Sequence, residues 1–278
     1  MTDPFSDGYA DGYLLRRQAS TMSKVTAEWF DDNAERLLRG ASGPGARRAF
    51  SMLSVGSGDG ELDLDLLGRL FPAGAARPAR LRYVAVEPSR LHRERLLARA
   101  EREGAGLVTE VVAREEPFSP RALEPERFDL IVMLHVLYYI APREPAIRHA
   151  RALLAPGGCL VIVQQTATGI PELQAEFLGP LKGSTAELYT SDDVLRLLRD
   201  AGIPHEHEER DAHLDVTECL AQTEVGSRIL SFCMEADVTA APPALRAALL
   251  RALASRACPV DGRSTLREPL GFIVIPAA

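Results

Sequence analysis

At 278 residues, 46% of them hydrophobic and 26% charged, the chain can hold one large domain, or a domain with an appended subdomain, around a sizeable core. A formal net charge of -7 argues against a nucleic-acid backbone as main partner. No run approaches the roughly eighteen apolar residues needed to span a bilayer, and MTDPFSDGYADGY has acidic residues but no apolar stretch of signal-peptide type.

The N-terminal forty residues carry Phe5, Tyr9, Tyr13, Trp29 and Phe30 and end in the charged helical segment DDNAERLLRG. GASGPGARR then reads as a flexible connection. Beyond it, short apolar runs (AFSMLSV, RLRYVAV, FDLIVMLHV, GCLVIVQQ) alternate with helical stretches such as SRLHRERLLARAEREG and EPAIRHARALL. Runs without polar alternation, separated by helices, predict a parallel sheet covered on both faces.

TSDDVLRLLRDAG reads as a helix capped by Thr190 with Asp193 and stopped by Gly202. Residues 223–257 read as helices around an APP break, and GFIVIP as a closing strand. HEHEER, residues 205–210, places His205 and His207 on one strand face, a spacing that metals use. It follows a glycine-ended helix as a solvated edge strand would, and no metal is expected. Cys159, Cys219, Cys233 and Cys258 form no CxxC pair, so neither a zinc site nor a disulfide framework is indicated. A reducing cytoplasm is the expected compartment.

The informative stretch is LSVGSGDGELDLDLL. A helix over 61–71 places Leu62, Leu66 and Leu70 on one face, so Gly56, Gly58 and Gly60 form a strand-to-helix turn where a ligand can approach the backbone. The spacing is G-x-G-x-G, not the dinucleotide G-x-G-x-x-G, and Glu61 stands where the third glycine of that fingerprint would be. Asp59, Glu61, Asp63 and Asp65 would oppose a pyrophosphate there, whereas a cationic ligand without phosphate removes the conflict. S-adenosylmethionine is such a ligand. Glu87, at the end of YVAVEPS, is placed to accept both hydroxyls of a ribose. The segment from Ala113 to Glu116 follows the third strand and marks the adenine rim, and Leu134, ending the fourth strand, joins the cofactor positions.

With FDLIVMLHVLYYI and LLAPGGCLVIV added, the centre resembles a class I S-adenosylmethionine-dependent methyltransferase. The order FSDGYADGY, LSVGSGDGELDLDLL, VEPS, HVLYYI, YTSDDVLRLLRDAG, APPALRA and GFIVIPA is similar to that of the histamine N-methyltransferases along nearly the whole chain. The resemblance implies an α/β fold, a Rossmann-like seven-stranded, mostly parallel sheet with helices on both faces and a small substrate-binding subdomain. Residues 1–45 would supply a helical lid or substrate segment, 46–168 the cofactor-binding core, and 169–278 the rest of the core, the substrate subdomain and the C-terminal strands. Gly56, Gly58 and Glu87 match family cofactor positions, and His92 stands where the family has a glutamine near the adenosine. Tyr9, Tyr13, Tyr138 and Tyr139 match aromatic positions lining the acceptor pocket.

The family's histamine-binding trio is glutamate, glutamine and asparagine; here the matching positions are Met22, His135 and Glu268. Two pocket tryptophans are also lost, near Ile170 and Gln174. Removing buried hydrogen-bond partners changes discrimination by orders of magnitude, so histamine is not the expected acceptor. His135 is the candidate general base or anchor, Glu268 the candidate counter-ion for an ammonium, and Met22 apolar wall. The expected activity is N-methylation of another small-molecule or peptide amine by a monomer without nucleic-acid or membrane partners. Esterification of a carboxylate stays open, although no cation that would hold such a substrate stands out. A non-catalytic S-adenosylmethionine-binding protein is the reading from a different class.

Overall fold

Aliphatic residues dominate the runs expected as strands, and in the computed structural model they pair as a parallel set. The described residues are 7–39, 49–74, 77–119, 123–183 and 188–278. β1 (Phe50–Val55), β2 (Leu81–Val86), β3 (Glu110–Arg114), β4 (Phe128–Leu134) and β5 (Leu154–Gln165) stand in the order β3-β2-β1-β4-β5, every adjacent pair parallel. β6 (Glu206–Arg210) and β10 (Leu270–Pro276) extend the sheet to seven strands, β10 between β5 and β6. β1 and β2 are buried on both faces at nearly every position, which is why their runs lack alternation. HEHEER supplies the exposed edge strand β6.

In chain order the helices are α1 (Asp7–Ala19), α2 (Met22–Leu38), α3 (Glu61–Leu70), α4 (Arg90–Glu103), α5 (Arg143–Ala152), α6 (Ile170–Lys182), α7 (Ser191–Asp200), α8 (Thr217–Leu220), α9 (Glu224–Cys233) and α10 (Pro243–Arg256). The α7 cap forms as expected, with the Thr190 N–H donating to Asp193 Oδ2 at 2.8 Å and Gly202 adopting φ 63°. α3 departs from expectation. Leu66 and Leu70 are buried, but Leu62 is only half-buried, and the buried face also takes in Asp63, Leu64 and Leu67.

The chain divides into two units. The sheet unit comprises Thr26–Gln164, Val194–Glu208 and Phe272–Ala278. Its chain leaves β1 through α3 to reach β2 on one side, whereas β4 lies on the other. That reversal puts a switch point at the carboxyl ends of β1 and β4, where open α/β sheets bind ligands. Trp29 anchors α2, stacking on Phe272 with centroids 4.8 Å apart and donating Nε1–H to Glu208 Oε2 at 2.9 Å.

The second unit comprises the chain up to Val25, Gln165–Asp193 and Glu209–Gly271. Its core gathers Ile170, Leu173, Phe177, Leu230, Met234 and Leu249. It also holds a small antiparallel sheet of β7 (His213–Asp215), β8 (Ala257–Val260) and β9 (Arg263–Arg267) in the order β7-β9-β8. The β8–β9 hairpin turns on Asp261 and Gly262, at φ 48° and 76°, the paired positive angles of a type I′ turn. α1 docks on α9: Gly12 faces Phe232, where a Cβ would approach to 3.0 Å, and Arg228 pairs with Asp11 at 2.5 Å. No helix among the described residues is long and apolar enough to cross a membrane.

Candidate active site

In the sheet unit, β1 ends in a turn whose three glycines all adopt left-handed backbone: Gly56 at φ 74°, Gly58 at 56° and Gly60 at 73°. They serve different ends. A Cβ on Gly56 would lie 2.3 Å from Val136 Cγ2, and one on Gly60 2.8 Å from Leu96 Cγ, so both are demanded by packing. A Cβ on Gly58 would meet nothing within 4 Å. Gly58 therefore presents bare backbone to open space, which is what a ligand cradle requires.

Glu87 follows β2 directly. Its Oε2 accepts the Gly58 N–H and its Oε1 the Ser89 N–H, both at 2.9 Å, and His92 Nδ1 lies 3.8 Å from Oε1. Burial disfavours the charged carboxylate, but the neighbouring His92 and the hydrogen bonds from the Ser89 and Gly58 amides outweigh it and hold the group below the usual glutamate range. An ionised carboxylate offers about four acceptor sites, so these contacts leave capacity for hydroxyl donors. The structure thus brings together Gly56, Gly58, Gly60, Glu87 and His92. Glu116 lies beyond β3 and is exposed.

The acidic crowding has a different meaning from the one expected. Arg99 Nη2 lies 3.2 Å from both Asp59 and Glu61, and Arg69 Nε donates to Asp65 at 2.8 Å. Asp63 points inward, where the Tyr83 hydroxyl donates to it at 2.5 Å. Most of the negative charge is compensated or buried, so repulsion of a phosphate does not discriminate between cofactors here.

At the end of β4, Leu134 pairs with Val163, and the His135 N–H donates to the Val163 carbonyl at 2.8 Å. His135 has φ 51°, an uncommon conformation for a residue with a side chain. Such strain persists only where the surroundings impose it. Here the next residue, Val136, packs on Gly56. The glycine turn and the His135 segment therefore share the carboxyl edge of β1 and β4. Tyr138 and Tyr139 follow in a short 3₁₀ turn, edge to face at 4.5 Å and largely exposed.

The second unit brings together Met22 and Glu268 around a residue that sequence reasoning missed. Arg16 Nη2 donates to Glu268 Oε2 at 2.8 Å and contacts Met22 Sδ at 3.1 Å. Ser20 Oγ donates to Glu268 Oε1 at 2.5 Å, and Gln165 Nε2 reaches Oε2 at 3.5 Å. Glu268 is fully buried. It is neither a solvated turn carboxylate nor an uncompensated counter-ion waiting for an ammonium. Tyr13 packs on Phe232 with centroids 6.0 Å apart and stays partly exposed. Tyr9 lies in α1, with its side chain outside the described residues. At the two lost tryptophan positions, Ile170 is core and Gln174 donates to the Cys233 carbonyl at 2.8 Å.

A family model described as a methyltransferase domain matches residues 16–208. The chain is 25% identical to histamine N-methyltransferase A of Xenopus laevis over 97% of this chain and 95% of that one. It is 26% identical to the Mus musculus histamine N-methyltransferase over 100% and 98%. The fold is similar to that of the YcgJ protein of Bacillus subtilis, with a TM-score of 0.55 and 12% identity over 83% of this chain and 93% of that one. Family, full-length relatives and fold agree: the chain belongs to the methyltransferase-domain family and is a class I S-adenosylmethionine-dependent methyltransferase.

Proposed function

We propose that the chain N-methylates an amine in a small molecule or peptide other than histamine. The observation that carries this is the shared edge of β1 and β4, where the open backbone of Gly58 and the strained His135 lie on neighbouring strand ends. The full-length likeness to N-methyltransferases supports nitrogen as the target. S-adenosylmethionine supplies an electrophilic methyl group when bound. In this reading Gly56, Gly58 and Gly60 shape its cradle, Glu87 accepts from the ribose hydroxyls, and His92, Glu116 and Leu134 border the adenosine. His135 orients the acceptor and takes the proton that its nitrogen sheds. Tyr138 and Tyr139, which follow β4, border the acceptor.

Histamine is set aside because Glu268, at one of the trio positions, is already neutralised by Arg16. The reading is tested with S-adenosylmethionine labelled on its methyl group and a pool of small molecules and peptides. Label should enter alkali-stable products and be lost when the pool's amines are acetylated beforehand. Release of the label as methanol in mild alkali would reveal an ester and overturn N-methylation.

The cofactor assignment has its own test. Glu87→Gln keeps one oxygen for the loop amides but removes the charge. It should weaken S-adenosylmethionine binding about tenfold by calorimetry, since a hydrogen bond to a charged group contributes roughly 1.5 kcal/mol or more. Unchanged affinity would remove Glu87 from the cofactor site.

A further inference from the structure

Resting on the cofactor reading above, we infer that Arg93 is a positioning residue of the cofactor site, holding the backbone of Glu87 so that its carboxylate meets the ribose hydroxyls. Arg93 Nη1 donates to the carbonyls of Glu87 and Pro88, both at 2.7 Å, and Nη2 donates to Glu115 Oε2 at 3.1 Å. One guanidinium thus joins the turn after β2 to the segment after β3, all within the sheet unit. The local chain explains the reach. α4 opens at Arg90, and the Cα–Cβ bonds of a helix tilt toward its N-terminus, so a long side chain in the first turn lies back over the residues that precede the helix. A cation there opposes the helix dipole, and the first turn of α4 has no acidic residue to offset it. The two carbonyl oxygens are what draws Arg93 to this place.

Other groups hold the rest of Glu87. Its N–H donates to the Arg114 carbonyl at 3.0 Å, and the Val86 carbonyl before it accepts the Gly56 N–H at 2.8 Å. Its carboxylate accepts the Gly58 and Ser89 amides. The Glu87 carbonyl is the remaining backbone group, and Arg93 fixes it. The two arms of Arg93 differ in strength. The Glu115 side chain is 72% exposed, and so wet an ion pair contributes little. The Arg93 side chain is only 15% exposed, and charge-assisted bonds from it to carbonyls are the stronger kind. The carbonyl contacts therefore carry the effect.

The test compares, by calorimetry, S-adenosylhomocysteine with its analogue lacking both ribose hydroxyls, the groups that Glu87 would accept. The wild type should bind the parent at least about tenfold more tightly than the analogue. R93M keeps an apolar stem and loses every donor. It should weaken binding of the parent at least about fivefold and of the analogue less than about twofold. Turnover of the amine pool at saturating cofactor should stay within about twofold of wild type, since the loss lies in cofactor binding. E115Q should shift either affinity by less than about twofold. Thermal unfolding reports whether R93M folds. If it does not, R93K keeps the charge but replaces the planar fork with one nitrogen, and should cut the preference for the parent at least about twofold. An undiminished preference in the folded variant, equal weakening of both ligands, or a loss in E115Q as large as in R93M overturns the role of Arg93 and leaves Glu87 in place. Equal binding of the two ligands by the wild type removes Glu87 from the ribose, and the role of Arg93 falls with it.

Discussion

Asparagine at position 135 should leave the chain folded and the cofactor bound, yet lower turnover at least about a hundredfold. The size follows from the role proposed for His135: a positioned proton acceptor contributes roughly 10²–10⁴ in rate. The substitution is chosen for the backbone. His135 sits at φ 51°, which asparagine tolerates better than most residues, so the β4 turn and the packing of Val136 on Gly56 should survive. Turnover is read from methyl-label transfer at saturating cofactor, and cofactor affinity by calorimetry on the same preparation. A loss of turnover with unchanged affinity places His135 on the acceptor side of the reaction. A change of less than about threefold would return it to the status of a strand-end histidine.

The second large effect is one of pH on stability. Asp63 lies beneath the glycine turn, and burial raises its carboxyl from 3.8 to about 6. Hydrogen bonds from Tyr83 and Ser54 pull the other way, and the charges of Asp59 and Glu87 add to the rise. The folded state therefore holds this proton more tightly than the unfolded chain. Above about pH 6 the buried charge costs stability, and that cost is relieved as the pH falls from 6 towards 4. A shift of this size corresponds to about 3 kcal/mol in full, of which roughly 1 kcal/mol should be recovered by pH 5. Glu87 acts in the opposite direction, but its folded value lies below the ordinary 4.5, so its stabilisation is lost only at lower pH. Asp63→Asn should abolish this component. The difference between wild-type and variant unfolding free energies, from urea titrations at pH 7.5 and 5, cancels the other titrating groups. Parallel behaviour of the two proteins would show that Asp63 does not carry the effect.

Much of the sheet could be read in advance because its strands are buried on both faces and so appear as unbroken apolar runs. β1, β2, β4 and β5 all carried that mark. The small β7-β9-β8 sheet did not, since three-residue β7 is too short to show a period and β8 contains Pro259. One signal was present and missed: the Asp261-Gly262 pair between CPV and RSTLR is strong hairpin chemistry. The glycine turn and Glu87 were legible because local spacing brings them together. Arg16 was not, because its partner Glu268 lies 252 residues away and nothing local marks one arginine among many. Asp63 was grouped with Asp59, Glu61 and Asp65 as charge that would oppose a pyrophosphate. Only the tertiary arrangement shows it buried and bonded to the Tyr83 hydroxyl, 20 residues away.

The position of β10 bears on how the molecule is made. The strand nearest the C-terminal end, at Leu270–Pro276, is an interior strand, flanked by β5 and β6. While the chain emerges from a ribosome, residues through Arg210 are available well before Leu270, for several seconds at ordinary rates of synthesis. During that interval β5 and β6 have no strand between them. Each would offer a ladder of unpaired amides and carbonyls to any other extended segment nearby. The nascent chain is thus most exposed to wrong partnerships while residues 211–269 are being made. A premature stop anywhere between residues 211 and 269 would leave that seam permanently open.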